Sequence, residues 1–466
     1  MDELLCKKRE ICDPVHGFIE VSHSAGLLID TKYFQRTNKL AALSVNKNVY
    51  PGAEHTRKIH MLGAYHIATL KLISLRKASP KEDISDKDIL CVGIAALFHD
   101  IGHGPYSHTY EVFVKTINPE STFSHESATI EMIELIFKDY PAINDHFAKI
   151  FEEEDYLFIY ECINPPKEFL IKDEWMLKGR PIEKSFLYDI VSNIHSGLDV
   201  DKFDYLLRDA QMAGIKDSPF NKDTLHRIIN NCKVFMDPDR KYKRLAYDVK
   251  IQLEIEAVFH ARMTLHRKLY VHKTCVGYEK RLLDAWVSAD DHLSFKSTDE
   301  ISYKLSTMHE NIELYSKITD EVVMSAILMS DSAELEESRN ILNELADRQL
   351  PKRIYLFESN NLKKDNYTSD LISKEIIENC EVPITQKDFF VNIREMHGGK
   401  KLDKDPVEFV LFYDKNDELL PKRSSSVKKQ FAGGYIDASV YVNYHLSEEK
   451  RKAIKESAEK FSKKLQ

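Results

Sequence analysis

The chain has 466 residues, 43% of them hydrophobic and 30% charged, with only 15 glycines and 15 prolines; this describes a folded chain with a sizeable core and more than one lobe, without a long flexible linker. A net charge of −9 argues against wholesale coating of nucleic acid, although a local basic patch can still receive phosphates. No stretch approaches 18 consecutive apolar residues, and no apolar signal region follows Lys7-Lys8-Arg9, so no membrane partner is expected and the protein is read as intracellular, in nucleus or cytoplasm.

In chain order, Asp13 to Val21 reads as a turn followed by a short strand. Thr31 to Val45 carries apolar Phe34, Leu40 and Leu43 with polar residues on other faces, an amphipathic helix that Pro51-Gly52 ends. A second helix, Thr56 to Leu75, places Arg57 and His60 on one face near its start. The most apolar run, Ile89 to Phe98, is the length of a buried core helix and too short to span a bilayer. Further helices are expected at Ser124 to Phe137 and Glu183 to Ile194, with Glu152 to Asp155 as a solvated helix end. Asp237 to Arg240 reads as a hairpin turn, and Val249 to Ala289 as one long helix, since no proline interrupts it. After helices at Asp320 to Leu328 and Ser332 to Asp347, short β-branched segments (Arg353 to Phe357, Asp388 to Ile393, Glu408 to Tyr413, Ser439 to Tyr444) and a charged helix from Ser447 to Leu465 mark a smaller mixed lobe. The expected fold is therefore mainly α: a helical catalytic lobe over 1–350 and a small α/β lobe with short antiparallel strands over 351–466.

The seven cysteines are odd in number and scattered, with no Cys-x-x-Cys pair, so neither a disulfide framework nor a zinc knuckle is indicated. Chemistry concentrates at Leu97 to His108. There His99 and Asp100 stand side by side at a helix end, His103 follows one turn later, and Gly102, Gly104 and Pro105 turn the chain. An adjacent imidazole and carboxylate offer two ligands to one metal; a hydrogen-bonded core histidine beside a surface aspartate is the plainer alternative. Three other stretches supply partners: Glu54 to His60, with His60 as a nitrogen ligand and Arg57 as a phosphate contact; Gly197 to Tyr205, with several carboxylates beside a lysine; and Arg262, His266 and Tyr270, a polar stripe that faces either a ligand or solvent. Two imidazoles and two carboxylates suit a hard or borderline divalent ion rather than a thiolate zinc site. Surrounding cations and neutral bases are what cleavage of a polyphosphate ester needs. No G-x-x-x-x-G-K-[ST] or G-x-G-x-x-G occurs, which speaks against a P-loop or a Rossmann cofactor site.

His60, then His99-Asp100, then Asp201 resemble the H…HD…D signature of HD-domain metal-dependent phosphohydrolases. More narrowly, Asp13 to Gly17, Pro51-Gly52-Ala53, His99 to His108, Lys178 to Pro181, Lys184 to Tyr188 and Asp199 to Lys202 are similar to the SAM and HD domain-containing deoxynucleoside triphosphate triphosphohydrolase family, without its SAM domain. The resemblance implies an HD core at about 50–215 and hydrolysis of a dNTP to deoxynucleoside and triphosphate. It implies His60, His99, Asp100 and Asp201 as ligands of iron, manganese, zinc or magnesium, with magnesium also on the nucleotide phosphates. His103, His108 and His125, with Glu111 where the family has an aspartate, would activate water and protonate the leaving group. Arg57, Lys202, Tyr205, Arg262 and His266 would hold phosphates; Leu43 and Tyr270 would crowd the sugar 2′ position, and Asp209 would meet the 3′-hydroxyl. The family is activated by nucleotides bound between subunits, so a homo-oligomer is expected, with Arg9, Asp30, Gln35 and Arg36 at a GTP effector site and Lys250, His272 and Lys273 at a dNTP effector site. Departures from the family pattern are Ala42 and Val271 for two glutamines near sugar and base, Asn38 for a guanine-reading arginine, and Thr224 and Asp248 for basic effector contacts. Outside this family, the residues also suit an HD hydrolase of another phosphoester, or an idle nucleotide sensor or nucleic-acid binder.

Overall fold

Capping chemistry and apolar content fix the central helix, Asp86–Phe98. The Ser85 hydroxyl accepts from the Asp88 N–H (3.1 Å) while the Asp88 carboxylate accepts from the Ser85 N–H (3.0 Å), and every residue from Asp88 to Phe98 is buried. In this computed structural model, which describes residues 5, 7–359, 367–397, 399–400, 404–421 and 435–464, the central helix packs against Arg57–Ala78 and Glu153–Ile163, and Arg57–Ala78 in turn packs against Val200–Met212. The protein is mainly α, with short strands confined to small sheets. Among the described residues no helix is long and apolar enough to cross a membrane.

A hairpin, Lys7–Asp13 with Gly17–Ser22, opens the chain; its first strand had no signal in the sequence reading. A second antiparallel pair, Cys232–Asp237 with Tyr242–Asp248, is extended by Leu411–Tyr413 in parallel register (Leu411 opposite Ala246), so this strand from beyond residue 350 joins the sheet of the helical lobe. Phe389–Met396, Tyr435–Val442 and Lys352–Ser359 form a separate antiparallel sheet in that order. With the Ser369–Glu378 and Glu448–Lys464 helices it encloses a second apolar core around Phe357, Ile372, Val440 and Ile454.

Four expectations need correction. Only Lys32–Arg36 and a 3₁₀ turn at Thr37–Lys39 are helical in the stretch from Thr31 to Val45. Beyond Leu40 the chain doubles back, the Ala42 N–H donating to the His55 carbonyl (3.1 Å) and the Arg57 N–H to Leu40 (3.0 Å), so these backbone groups are not free for a helical ladder. The expected helix from Glu183 to Ile194 is a 3₁₀ segment, Ile182–Asp189, opened by Pro181. The long helix from Val249 to Ala289 is three pieces: Gln252–Leu265, a π turn at His266–Tyr270 and Lys273–Ala289, the last capped by the His272 side chain. Asp155 is not solvated: it is buried and accepts from Arg180 (2.7 Å), whereas Glu152, Glu153 and Glu154 are exposed.

Lys71, on Arg57–Ala78, is fully buried. Among the described residues its ammonium donates only to the Tyr247 hydroxyl (3.3 Å), and it lies over the Phe203 ring (5.2 Å). Burial lowers its pKa from the ordinary 10.5, so the charge costs stability at neutral pH, and that cost fades as pH rises towards 10.5. Lys71→Met is expected to stabilise the fold by on the order of 1–3 kcal/mol at pH 7 and to abolish the rise in stability towards alkaline pH; denaturant melts at several pH values read both effects.

Candidate active site

Four elements deliver the chemistry to one place. His60 comes from the first turns of Arg57–Ala78, His99 and Asp100 from the end of the central helix, His125 from the start of His125–Asp139, and Asp201 from the first turn of Val200–Met212. Glycine makes two of these approaches possible. A Cβ at Gly63 would lie 1.8 Å from Asp204 Oδ1, and one at Gly102 would lie 2.2 Å from the His125 carbonyl oxygen. Tyr106 and Ser107, both with positive φ (55° and 58°), then swing the chain into His108–Ile117.

His60 and His99 face each other through their Nε2 atoms, 3.2 Å apart. His60 Nδ1 lies 2.7 Å from Asp204 Oδ2 and His99 Nδ1 lies 2.8 Å from the Ala96 carbonyl. Each Nδ1–H is thus committed to an oxygen, and the two Nε2 lone pairs aim at one point where they cannot bond each other. Asp201 Oδ1 is 3.1 Å from His60 Nε2 and 3.5 Å from His99 Nε2; Asp100 offers Oδ2 at 3.4 Å from His60 and Oδ1 at 3.5 Å from His99. Ligand atoms about 2.0–2.2 Å from one ion stand roughly 3.0–3.5 Å from each other, so His60, His99 and Asp100 can share a single divalent ion, with Asp201 Oδ1 close to both imidazoles. The local field agrees. Burial disfavours charge on His60, yet Asp201, Asp204 and Asp100 overcome it and push its pKa up to about 10, so the cradle attracts positive charge. Asp199, two residues before Asp201, is the N-cap of its helix, accepting from the Lys202 N–H (2.9 Å), and so stands outside the set.

Beside the cradle, His103 stacks on His125 with ring centroids 3.9 Å apart. His103 is buried, and among the described residues neither ring nitrogen makes a well-directed hydrogen bond, although Nε2 lies 3.3 Å from Asp100 Oδ1; burial, with Arg57 and His125 nearby, keeps its pKa well below 6.5 and the ring neutral. His125 Nδ1 pairs with Glu111 Oε1 (2.6 Å), which helps to raise its pKa against burial. His108 is largely exposed, its Nδ1 3.6 Å from the same carboxylate.

These groups line a cavity of about 520 Å³, together with Leu43, Arg57, Tyr205, Asp209, His266 and Tyr270, a size suited to a small-molecule ligand. Arg57 is already engaged, donating to Asp100 Oδ2 (2.5 Å) and Ser107 Oγ (2.9 Å). Burial and Arg262 hold His266 near pKa 3, so it offers a neutral ring rather than a cation. Lys202 and Arg262 do not line the cavity, although both charges act on Tyr205 at its wall; Arg262 donates to the His397 carbonyl (2.7 Å). Asp209 is held on both oxygens, by Tyr270 (2.6 Å) and His55 (2.8 Å).

The expected effector residues lie apart from this cavity. Arg9 and Asp30 pair with each other (2.6 Å), and Gln35 accepts from Lys58 (2.8 Å). Arg36 turns inward, donating to the carbonyls of Ile318 (2.9 Å) and Ile101 (3.3 Å), which removes it from the surface of this chain. Lys250 pairs with Asp248 (2.8 Å), His272 caps its helix, and Lys273 is exposed.

An HD domain family model matches residues 57–185. The chain is 35% identical over 418 residues to the deoxynucleoside triphosphate triphosphohydrolase SAMHD1 of Bos taurus, covering 87% of this chain and 69% of that protein. The chain belongs to this triphosphohydrolase family. The Gallus gallus protein of the same name is 36% identical over 431 residues, with 90% and 68% covered. An HD domain-containing protein of Acanthamoeba polyphaga mimivirus is 28% identical over 432 residues, covering 87% of this chain and 84% of its own. As a member of the family, the protein is an HD-domain phosphohydrolase.

The sequence reading missed Asp204 and His55 as functional positions. Asp204 orients His60, lies 2.6 Å from His16 Nε2 and is neutralised by Arg208 (2.8 and 2.9 Å). The available signal was its i+3 spacing from Asp201, which puts both carboxylates on one helix face. Asp204→Asn is expected to weaken metal affinity about 10–100-fold while leaving the four ligands in place; metal titration of the purified protein measures it.

Proposed function

We propose that the protein is a metal-dependent dNTP triphosphohydrolase, releasing deoxynucleoside and intact triphosphate. The observation that carries this reading is the pair of converging Nε2 lone pairs of His60 and His99, closed by Asp100 and Asp201, at the wall of a nucleotide-sized cavity; the names of the relatives supply the substrate class. When bound, a divalent ion at these four residues, whether iron, manganese, zinc or magnesium, supplies Lewis acidity to water and phosphate oxygen. The chain does the rest. Release of intact triphosphate requires water to attack the α-phosphorus and the 5′-oxygen to leave with a proton. Neutral His103, beside Asp100, is placed to accept the proton of the water, and His125, backed by Glu111, to deliver one to the leaving oxygen, with His108 at the open side. Arg57, His266 and Tyr205 face the phosphates, with Lys202 and Arg262 adding charge from behind and magnesium accompanying the triphosphate. Leu43 and Tyr270 narrow the space for a 2′-hydroxyl, and Asp209, fixed by Tyr270 and His55, meets the 3′-hydroxyl.

Activation by GTP or dNTP between subunits of a homo-oligomer is part of the reading, with the dNTP contacts at Lys250, His272 and Lys273 better placed than Arg36, which is buried. Ala42, lacking a polar side chain at the sugar, supports a second reading as an HD hydrolase of another phosphoester. Incubation with manganese and each dNTP, with and without GTP, is expected to release triphosphate; release of single phosphates, or turnover of other phosphoesters alone, would select the second reading. His99→Ala with Asp100→Ala is expected to remove bound metal and activity while the fold persists by circular dichroism. His103→Ala is expected to retain metal and lower kcat about 10²–10⁴-fold, measured by triphosphate release at saturating substrate.

A further inference from the structure

The cavity has a second polar cluster that the chemistry above does not use. Glu279, from Lys273–Ala289, lines it with Ser44 and Thr109. Ser44 Oγ lies 2.6 Å from Thr109 Oγ1, and the Thr109 hydroxyl donates to Glu279 Oε1 (2.9 Å). The relay is held at its middle and at one end. Thr109 is fully buried, and Ser44 is held at φ 49°, a conformation few non-glycine residues adopt. With the Thr109 proton committed, the carboxylate presents acceptors only. Oε2 has no hydrogen bond among the described residues, and Arg394 feels the Glu279 charge without pairing with it.

Electrostatics orients a nucleotide in such a cavity. On the dNTP reading, the metal-loaded cradle and Arg57 hold the triphosphate, and Glu279, whose cluster shares no residue with them, is left to the uncharged end of the substrate. What a fixed carboxylate reads there is adjacent N–H groups. Guanine alone among the four bases sets two donors side by side on its Watson–Crick edge, at N1 and N2. Cytosine and adenine place an acceptor nitrogen next to their single amino group, and thymine flanks one N–H with two carbonyls, each repelled by the carboxylate. We propose that Glu279, positioned by Thr109 and Ser44, is a base-specificity residue that selects guanine at the nucleoside end of the cavity.

The inference rests on reading the cavity as a dNTP site, and the test separates the two. Calorimetry of the manganese-loaded protein with deoxyguanosine and with thymidine needs no triphosphate and no turnover. The wild-type protein is expected to bind deoxyguanosine about tenfold or more tightly over thymidine, the discrimination a bidentate base contact provides, and to show the same order in kcat/KM for dGTP over dTTP. Glu279→Gln, which keeps the shape but places a donor beside the guanine donors, is expected to collapse the ratio; Thr109→Val, which frees the carboxylate, is expected to narrow it. Equal binding of the two nucleosides by the wild-type protein, or an unchanged ratio in Glu279→Gln of wild-type metal content, overturns the proposal. Hydrolysis of all dNTPs without base preference overturns it while leaving the triphosphohydrolase reading intact. Preferential binding of deoxyguanosine with no dNTP hydrolysis supports it and removes the triphosphohydrolase reading alone.

Discussion

A single buried carboxylate ties the catalytic lobe together. Asp204, fully buried with Arg208, lies 2.7 Å from His60 Nδ1, accepts two hydrogen bonds from Arg208 and lies 2.6 Å from His16 Nε2. Arg208 continues to Asp13 (2.8 Å), whose other oxygen accepts from the backbone N–H groups of Val15 and His16 and so shapes the opening turn. A charge at that depth is tolerated only when it is fully paired, so the N-terminal turn, the Arg57–Ala78 helix and the Val200–Met212 helix are locked in one relative position. That position is also the one that points His60 Nε2 at His99 Nε2. The architecture and the metal cradle therefore depend on the same hydrogen bonds.

From this hub the cavity acquires a direction. One end gathers two imidazoles and two carboxylates, with Arg57 donating to Asp100 Oδ2. The stacked His103 and His125 stand next to it. Asp209, clamped by Tyr270 and His55, and Glu279, held in a hydroxyl relay that shares no residue with the cradle, also line the cavity. On the proposed reading, a polyphosphate and a nucleoside meet different chemistry in the same space. The loops that form the walls are themselves held by Asp320, which accepts from the backbone N–H groups of Ala41 (2.8 Å) and Tyr106 (2.7 Å). Burial raises the Asp320 pKa to about 6 against those two bonds and the charge of Lys47.

Much of this was legible beforehand because it depends on local pattern. The apolar run ending at Phe98, the glycines after it and the i+3 spacing of Arg57 and His60 are read without knowing the fold. Other features were hidden because they depend on partners remote in sequence. The π turn at His266–Tyr270 broke an unpunctuated helical pattern: the Val271 N–H reaches the His266 carbonyl (3.0 Å), and the turn accompanies the approach of Tyr270 to Asp209, a contact no window of local sequence contains. The stretch from Thr31 to Val45 looked amphipathic, yet its second half pairs with His55 and Arg57, and tertiary pairing overrode propensity.

The sequence by itself determined the ligand types, their order along the chain and the helices that carry them, since these follow from side-chain chemistry and hydrophobic period. Only the tertiary structure decided that, of the carboxylates flanking Asp201, Asp199 caps the helix and Asp204 orients His60. The physical reason is that all three lie within two turns of one helix and differ only in direction. Direction acquires a consequence when helices from distant parts of the chain close around it.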